Sequence, residues 1–165
     1  MYGPGGMALY HHCGKANMGV NNIVHKTDRL SYMYGGCNRV HTERPQQYDN
    51  FRNIYLLDNM DEFTFGRSSD RYYDSPPNFH NNLYWSLVPG DEEQTKFPDK
   101  LNWYDWQATG NDSDSLWQDP LFEDPATHNY ALAEDSPAWD LGIEQIYMDN
   151  IGIQSLGKYH PQKDD

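Results

Sequence analysis

An asparagine followed by two strand-forming residues occurs three times in the first half of this chain. The copies are Asn22-Ile23-Val24, Asn53-Ile54-Tyr55 and Asn82-Leu83-Tyr84, spaced by 31 and then 29 residues. A second set, Ala8-Leu9-Tyr10, Tyr32-Met33-Tyr34 and Phe63-Thr64-Phe65, recurs after 24 and then 31 residues. Turn-type sequence such as "KANMG", "GGCNR" and "DNMDE" lies between the runs. Self-similarity at roughly 20 to 50 residues marks a stacked or circular architecture, so it limits the fold before any single element is assigned.

Helical repeats need an apolar residue every three or four positions over about 10 to 15 residues, and positions 1–90 lack that pattern. Propeller blades need about four strands in 40 to 50 residues. Two or three short strands per turn of about 30 residues instead match a parallel β-helix, whose coils stack about 4.8 Å apart with like residue above like. Asn22, Asn53 and Asn82 are therefore predicted to form a ladder, each amide bonding the next and satisfying backbone groups at a bend. The repeats stop near residue 88. Beyond them "FPDKLNWYDWQATGND" reads as a short helix, with Pro98 and Asp99 at its start, Leu101, Trp103 and Trp106 along a buried edge, and Gly110 at its end. Residues 1–90 are thus expected to form coils and residues 91–165 a capping region with that helix and an extended tail.

At 165 residues the chain has one ordinary domain's length. Its 13 Tyr and 15% aromatic content argue against disorder, since amphipathic rings can edge a thin core. With 12 Lys and Arg against 25 Asp and Glu, the formal charge of -13 repels phosphate backbones and anionic lipid, so neither nucleic acid nor a membrane is an expected partner. No run of about 18 apolar residues exists to span a bilayer. The opening "MYGPGGMALYHHC" has neither the basic nor the apolar segment of a secretory signal.

The stretches "LYWS" at 83–86 and "SLWQDPLFEDPATHNYALAEDSPAWDLGI" at 115–143 carry a resemblance. Asp119-Pro120-Leu121-Phe122, Asp124-Pro125, Tyr130-Ala131-Leu132, Ser136-Pro137-Ala138 and Leu141-Gly142 together resemble the C-terminal end of right-handed parallel β-helix proteins of the pectate-lyase-like superfamily, which includes glycoside hydrolases. "ALYHHCGKANMGVNNIVH" is similar to an upstream segment of the same proteins, with Cys13 where an aromatic residue usually follows the His. The resemblance implies an all-β fold of right-handed parallel β-helix coils with a C-terminal cap, and places the protein outside the cell; a monomer is expected. It implies a carbohydrate-directed function on a polysaccharide or glycan: cleavage by hydrolysis or elimination in a longer parent, or noncatalytic glycan binding or surface structure. The superfamily hosts several chemistries, so fold analogy alone does not choose among them.

The candidate catalytic residues are His12 as base, Glu43 as acid and Arg44 as a clamp on a substrate carboxylate or hydroxyl. Glycosidases need two carboxyls about 5 to 9.5 Å apart, and Asp74, nine residues beyond Phe65 as Glu43 is beyond Tyr34, is a partner by register. Asp70, between Arg67 and Arg71, competes with it. Tyr72, Tyr73, Tyr84 and Trp85 are aromatic, close to the strand series and placed to line a groove, and Tyr72, Tyr73 and Trp85 are the substrate-binding candidates. Trp103 and Trp106 share a helical face and are expected to be buried, although they and Tyr104 are also of a type that stacks on sugars. His11-His12-Cys13 lacks the second cluster a zinc site requires. No cofactor is indicated; calcium is the one ion for which "LLDNMDEF" at 56–63 and "GNDSDS" at 110–115 offer ligands, each also reading as a turn. Cys13 and Cys37 each follow a Tyr by three residues, which suits stacked thiols or a disulfide. Asn111-Asp112-Ser113 matches the N-glycosylation acceptor pattern.

Overall fold

The computed structural model describes residues 2–3, 7–12, 16–26, 30–35, 47–57, 63–67, 78–88, 91–97 and 100–147. Among these residues ten short strands come first: β1 (Tyr2–Gly3), β2 (Met7–His12), β3 (Ala16–Val20), β4 (Ile23–Lys26), β5 (Leu30–Gly35), β6 (Gln47–Phe51), β7 (Ile54–Leu57), β8 (Phe63–Arg67), β9 (Asn78–His80) and β10 (Leu83–Ser86). Helices α1 (Asp91–Gln94) and α2 (Trp103–Ala108) follow, then β11 (Leu116–Trp117), β12 (Phe122–Asp124) and β13 (Asn129–Leu132). Three sheets are parallel, with strand orders β1-β4-β7-β10-β11, β2-β5-β8 and β3-β6-β9, while β12 and β13 form an antiparallel pair.

The repeated asparagine explains how two of these sheets meet. β3 passes into β4, β6 into β7 and β9 into β10 through a two-residue bend whose first residue has positive φ: Asn21 at 54°, Arg52 at 55° and Asn81 at 52°. The second residue of each bend is the repeated Asn. Asn22 Nδ2 donates to Asn53 Oδ1 at 2.9 Å, and Asn53 Nδ2 to Asn82 Oδ1 at 3.1 Å. The same amides reach back over their bends, Asn53 Nδ2 to the Gly19 carbonyl at 2.9 Å and Asn82 Nδ2 to the Asn50 carbonyl at 3.0 Å. Such a bend turns backbone groups away from the ladder, and the side-chain amide supplies the partner they would otherwise lack.

The central sheet β1-β4-β7-β10-β11 is covered on both faces, as buried parallel sheets require. Alternation along each strand divides its side chains. Val24, Tyr55 and Tyr84, aligned by the register Val24↔Tyr55↔Tyr84, pack with Phe79, Phe97, Trp103 and Trp106. Ile54 and Leu83 on the other face pack with Leu132, Ala138, Leu141 and Ile143 from the C-terminal segment. That segment is fastened by small polar residues: buried Ser136 donates from Oγ to the Pro120 carbonyl at 2.6 Å, and Asn21 exchanges two hydrogen bonds with the Glu144 backbone at 2.8 and 3.2 Å. Gly142, at φ 71°, lets the chain pass where a Cβ would stand 3.1 Å from Arg52 Nε.

Three expectations are corrected. The all-β class with right-handed parallel β-helix coils and a cap becomes, among the described residues, short strands in parallel and antiparallel sheets with two small helices. A period of about 30 residues decides which strands pair, but it does not decide what closes the sheets. Here α2 places Trp103 and Trp106 inside the main aromatic cluster, and an antiparallel pair stands beside the parallel sheets. Helix α2 starts later than Pro98 because Asn102 caps it, its Oδ1 accepting from the Asp105 N–H at 2.8 Å. In the sheet β2-β5-β8 the strands pair as expected, but Tyr32 faces Leu9 and Phe65 rather than Ala8 and Phe63. An irregularity between Met7 and Leu9 accounts for one residue of that slip.

Candidate functional site

Two parallel stacks run through the central sheet and end at the same place. The asparagine ladder continues beyond Asn82 with a substitute for the next Asn. Ser115 Oγ accepts the Asn82 backbone N–H at 2.8 Å, and Asp112 Oδ1 accepts the Asn82 side-chain amide at 3.0 Å. Beside it the aromatic stack proceeds from Tyr55 to Tyr84, centroids 5.0 Å apart, and from Tyr84 to Trp117, 6.3 Å apart and inclined by 9°. Trp117 is half-buried on β11, which stands last in the strand order.

Asp112 is completely buried and is the electrostatic centre of this end. Its Oδ1 accepts from Asn82 Nδ2 and from Ser115 Oγ at 2.6 Å, while Oδ2 accepts from the Tyr84 hydroxyl and from Trp106 Nε1, each at 3.0 Å. Two donors on each oxygen fill the carboxylate's ordinary capacity. Burial pushes the carboxyl above the usual carboxylate range, and the hydrogen bonds from Ser115, Trp106, Asn82 and Tyr84 oppose that rise. Tyr84 is raised well above the ordinary phenol value, chiefly by burial and then by the Asp112 charge. In "GNDSDS" the Asp112 oxygens are already held by protein donors. Among the described residues no three His, Cys, Asp or Glu side chains gather as a metal group.

Above this buried centre lies a groove of about 550 Å³. Trp85, Trp103, Tyr104 and Trp117 contribute its aromatic wall, and Glu92, Gln107 and Ser115 its polar side chains. Trp103 is nearly buried and braces the wall, whereas Tyr104 is 56% exposed and Trp85 half-buried. Gln107 is held in place from below, its Nε2 donating to the Asp112 carbonyl at 2.8 Å and to the Ser115 carbonyl at 3.1 Å. The arrangement is a fixed aromatic surface with hydrogen-bonding groups at its edge, which suits a flat, hydroxylated ligand. A second groove of about 430 Å³ is lined by His128, Tyr130, Trp139 and Gln145, among others. Its polar groups are largely committed, Trp139 Nε1 donating to the Ala133 carbonyl at 2.9 Å and Gln145 Oε1 accepting the Leu132 N–H at 2.8 Å.

No family model, curated protein or solved structure matches this chain. The site therefore rests on its own geometry.

Trp85 is the substrate-binding candidate that falls in the groove, whereas Tyr84, also expected to line a groove, is fully buried in the core. The backbone of His12 closes β2, and its side chain lies outside the described residues, as do Glu43, Arg44, Tyr72, Tyr73, Asp70, Asp74, Cys13 and Cys37. Trp103 and Trp106 are buried as expected, while Tyr104, between them, faces solvent. Sequence reasoning missed Glu92, Gln107 and Trp117 as groove residues and Asp112 as a buried hub. One signal for Asp112 was present: it follows Asn82 by 30 residues, the ladder's own spacing.

Proposed function

We propose that this chain binds glycans in the aromatic groove beside β11. The observation that carries the reading is the meeting of Trp85, Tyr104 and Trp117 with Glu92 and Gln107 in one groove. Sugar rings present C–H faces to aromatic surfaces and hydroxyls to polar edges, so a few rigid rings with converging polar groups match their chemistry. The resemblance of the 115–143 segment to carbohydrate-directed proteins points the same way. Binding is favoured over cleavage at this groove because glycoside hydrolysis needs two carboxyls about 5 to 9.5 Å apart. Glu92 is the one carboxyl among the described lining residues, and the carboxylate beneath them, Asp112, is buried and saturated with donors.

The test is retention of the protein by a panel of immobilised polysaccharides, with Trp85→Ala and Tyr104→Ala compared by circular dichroism for unchanged folding. Retention by at least one polysaccharide, weakened in both variants, is the expected result. No retention, or variants that bind as well as the parent, would remove the groove from consideration. Reducing-end assays on the same panel separate binding from cleavage.

A further inference from the structure

We propose that the groove selects neutral, hydroxyl-rich pyranose chains and rejects uronate and sulfated ones; the inference rests on the glycan-binding reading above. Both amide hydrogens of Gln107 are directed at backbone carbonyls, those of Asp112 and Ser115. Its Oε1, an acceptor, is the atom left for a ligand. Glu92 is half-buried in the same groove, and an ionised carboxylate also only accepts. Ser115 Oγ already spends its hydrogen on Asp112 and accepts the Asn82 N–H. The polar edge provided by Glu92 and Gln107 therefore asks its ligand for donors.

A sugar hydroxyl supplies them, each O–H donating while its oxygen stays wet. A uronate carboxylate or a sulfate ester has no proton to give and would bring like charge against Glu92, and like-charge juxtaposition at an interface suppresses the wrong partner. The formal charge of -13 adds repulsion of the same sign at longer range, screened by salt over about 10 Å at 0.1 M. Trp85, Tyr104 and Trp117 add ring faces that favour pyranoses through their C–H surfaces, and their hydroxyl and indole N–H groups are neutral. Selectivity thus divides between the aromatic wall, which provides affinity, and the acceptor edge, which chooses the substituent.

Affinity electrophoresis of the full chain in gels containing a neutral β-linked glucan or polygalacturonate, at low and at physiological salt, tests the inference. The glucan is expected to retard the protein nearly independently of salt, and polygalacturonate to bind at least about tenfold more weakly. Glu92→Gln is expected to weaken glucan binding while narrowing the difference between the two polymers. Polygalacturonate binding equal to or stronger than glucan binding at low salt would overturn the selectivity and leave glycan binding standing. Retardation by neither polymer, nor by any neutral glycan of the binding panel, would overturn both. Unchanged discrimination in Glu92→Gln would also sink the proposed edge, because the acceptor charge would then play no part.

Discussion

Asn82 gives its side-chain amide to Asp112 at 3.0 Å in the same way that Asn53 gives its own to Asn82 at 3.1 Å. A carboxylate thus ends a ladder of carboxamides. The difference is chemical: an Asn both accepts and donates, so it can be followed by another, whereas an ionised Asp accepts on both oxygens and ends the series. Asp112 uses that capacity to join the ladder to Tyr84 and to Trp106 of α2. The groove's floor and wall are therefore fixed through the final step of the repeat.

Asn53→Ala should destabilise the fold by roughly 2 to 4 kcal/mol, because it strips the Asn22 N–H and Asn22 amide of their acceptor and leaves the buried Gly19 carbonyl short of a donor. Asn53→Asp should cost more than Asn53→Ala, since it keeps the acceptor but places a second carboxylate oxygen against Asn82 Oδ1. Denaturant midpoints of the three proteins would show the order; a smaller loss in the Asp variant contradicts the donor role assigned to the amide.

Asp112→Asn should lower stability, with a pH dependence of definite sign. One amide position would face two donors that the carboxylate accepts, at a cost of about 1 to 3 kcal/mol for each group left unsatisfied. Because the folded-state carboxyl titrates above its unfolded value, the native chain holds the proton more tightly. Stability from this group is greatest below the ordinary carboxylate range and declines as pH rises through the raised folded value. The advantage of the parent over the non-titrating Asn variant should shrink with rising pH in urea melts taken from acid to neutral, and a growing advantage would reverse the sign assigned to Asp112.

Gly142→Ala should cost about 1 to 3 kcal/mol, since the backbone there has φ 71° and the new Cβ would meet Arg52 Nε at 3.1 Å. Two causes are separable. Arg52→Ala in the same chain should relieve the contact but not the left-handed backbone, so the double variant should recover part of the loss. Full recovery would mean that the contact alone matters, and no recovery that the backbone alone does.

Trp85→Ala should leave the melting transition close to that of the parent while lowering glycan affinity about tenfold or more, in keeping with the weight that aromatic anchors carry in binding sites. Trp103→Ala, by contrast, removes a nearly buried ring packed against Tyr84 and Phe97 at centroid distances of 5.1 and 5.5 Å. Its loss should appear first as roughly 3 to 5 kcal/mol of stability. Calorimetry of both variants alongside binding isotherms separates the binding role proposed for Trp85 from the packing role of Trp103.

The asparagine ladder was legible from spacing alone because a side chain that must bond its own counterpart has to recur at the period of the stack. The third sheet was not, since "ANMGV", "QYDNF" and "NFH" share no residue type at a common position and are paired by the bends rather than by their own pattern. The helix around Trp103 and Trp106 was legible from their three-residue spacing, but its start depended on the Asn102 cap. Trp85 could be singled out as an aromatic residue beside the strand series. Glu92, Gln107 and Trp117 could not, being separated along the chain and carrying no motif.

The sequence by itself determined which residues repeat, the strand pairings that follow from the repeat, the acidic field and the aromatic supply. Only the tertiary structure decided the class of sheets and helices, the burial of Asp112 among four donors, and the groove in which Trp85 meets Glu92 and Gln107. The physical reason is range. A ladder is a relation between equivalent residues and is written in their spacing, whereas a buried carboxylate and a groove are relations among unlike residues brought together by packing.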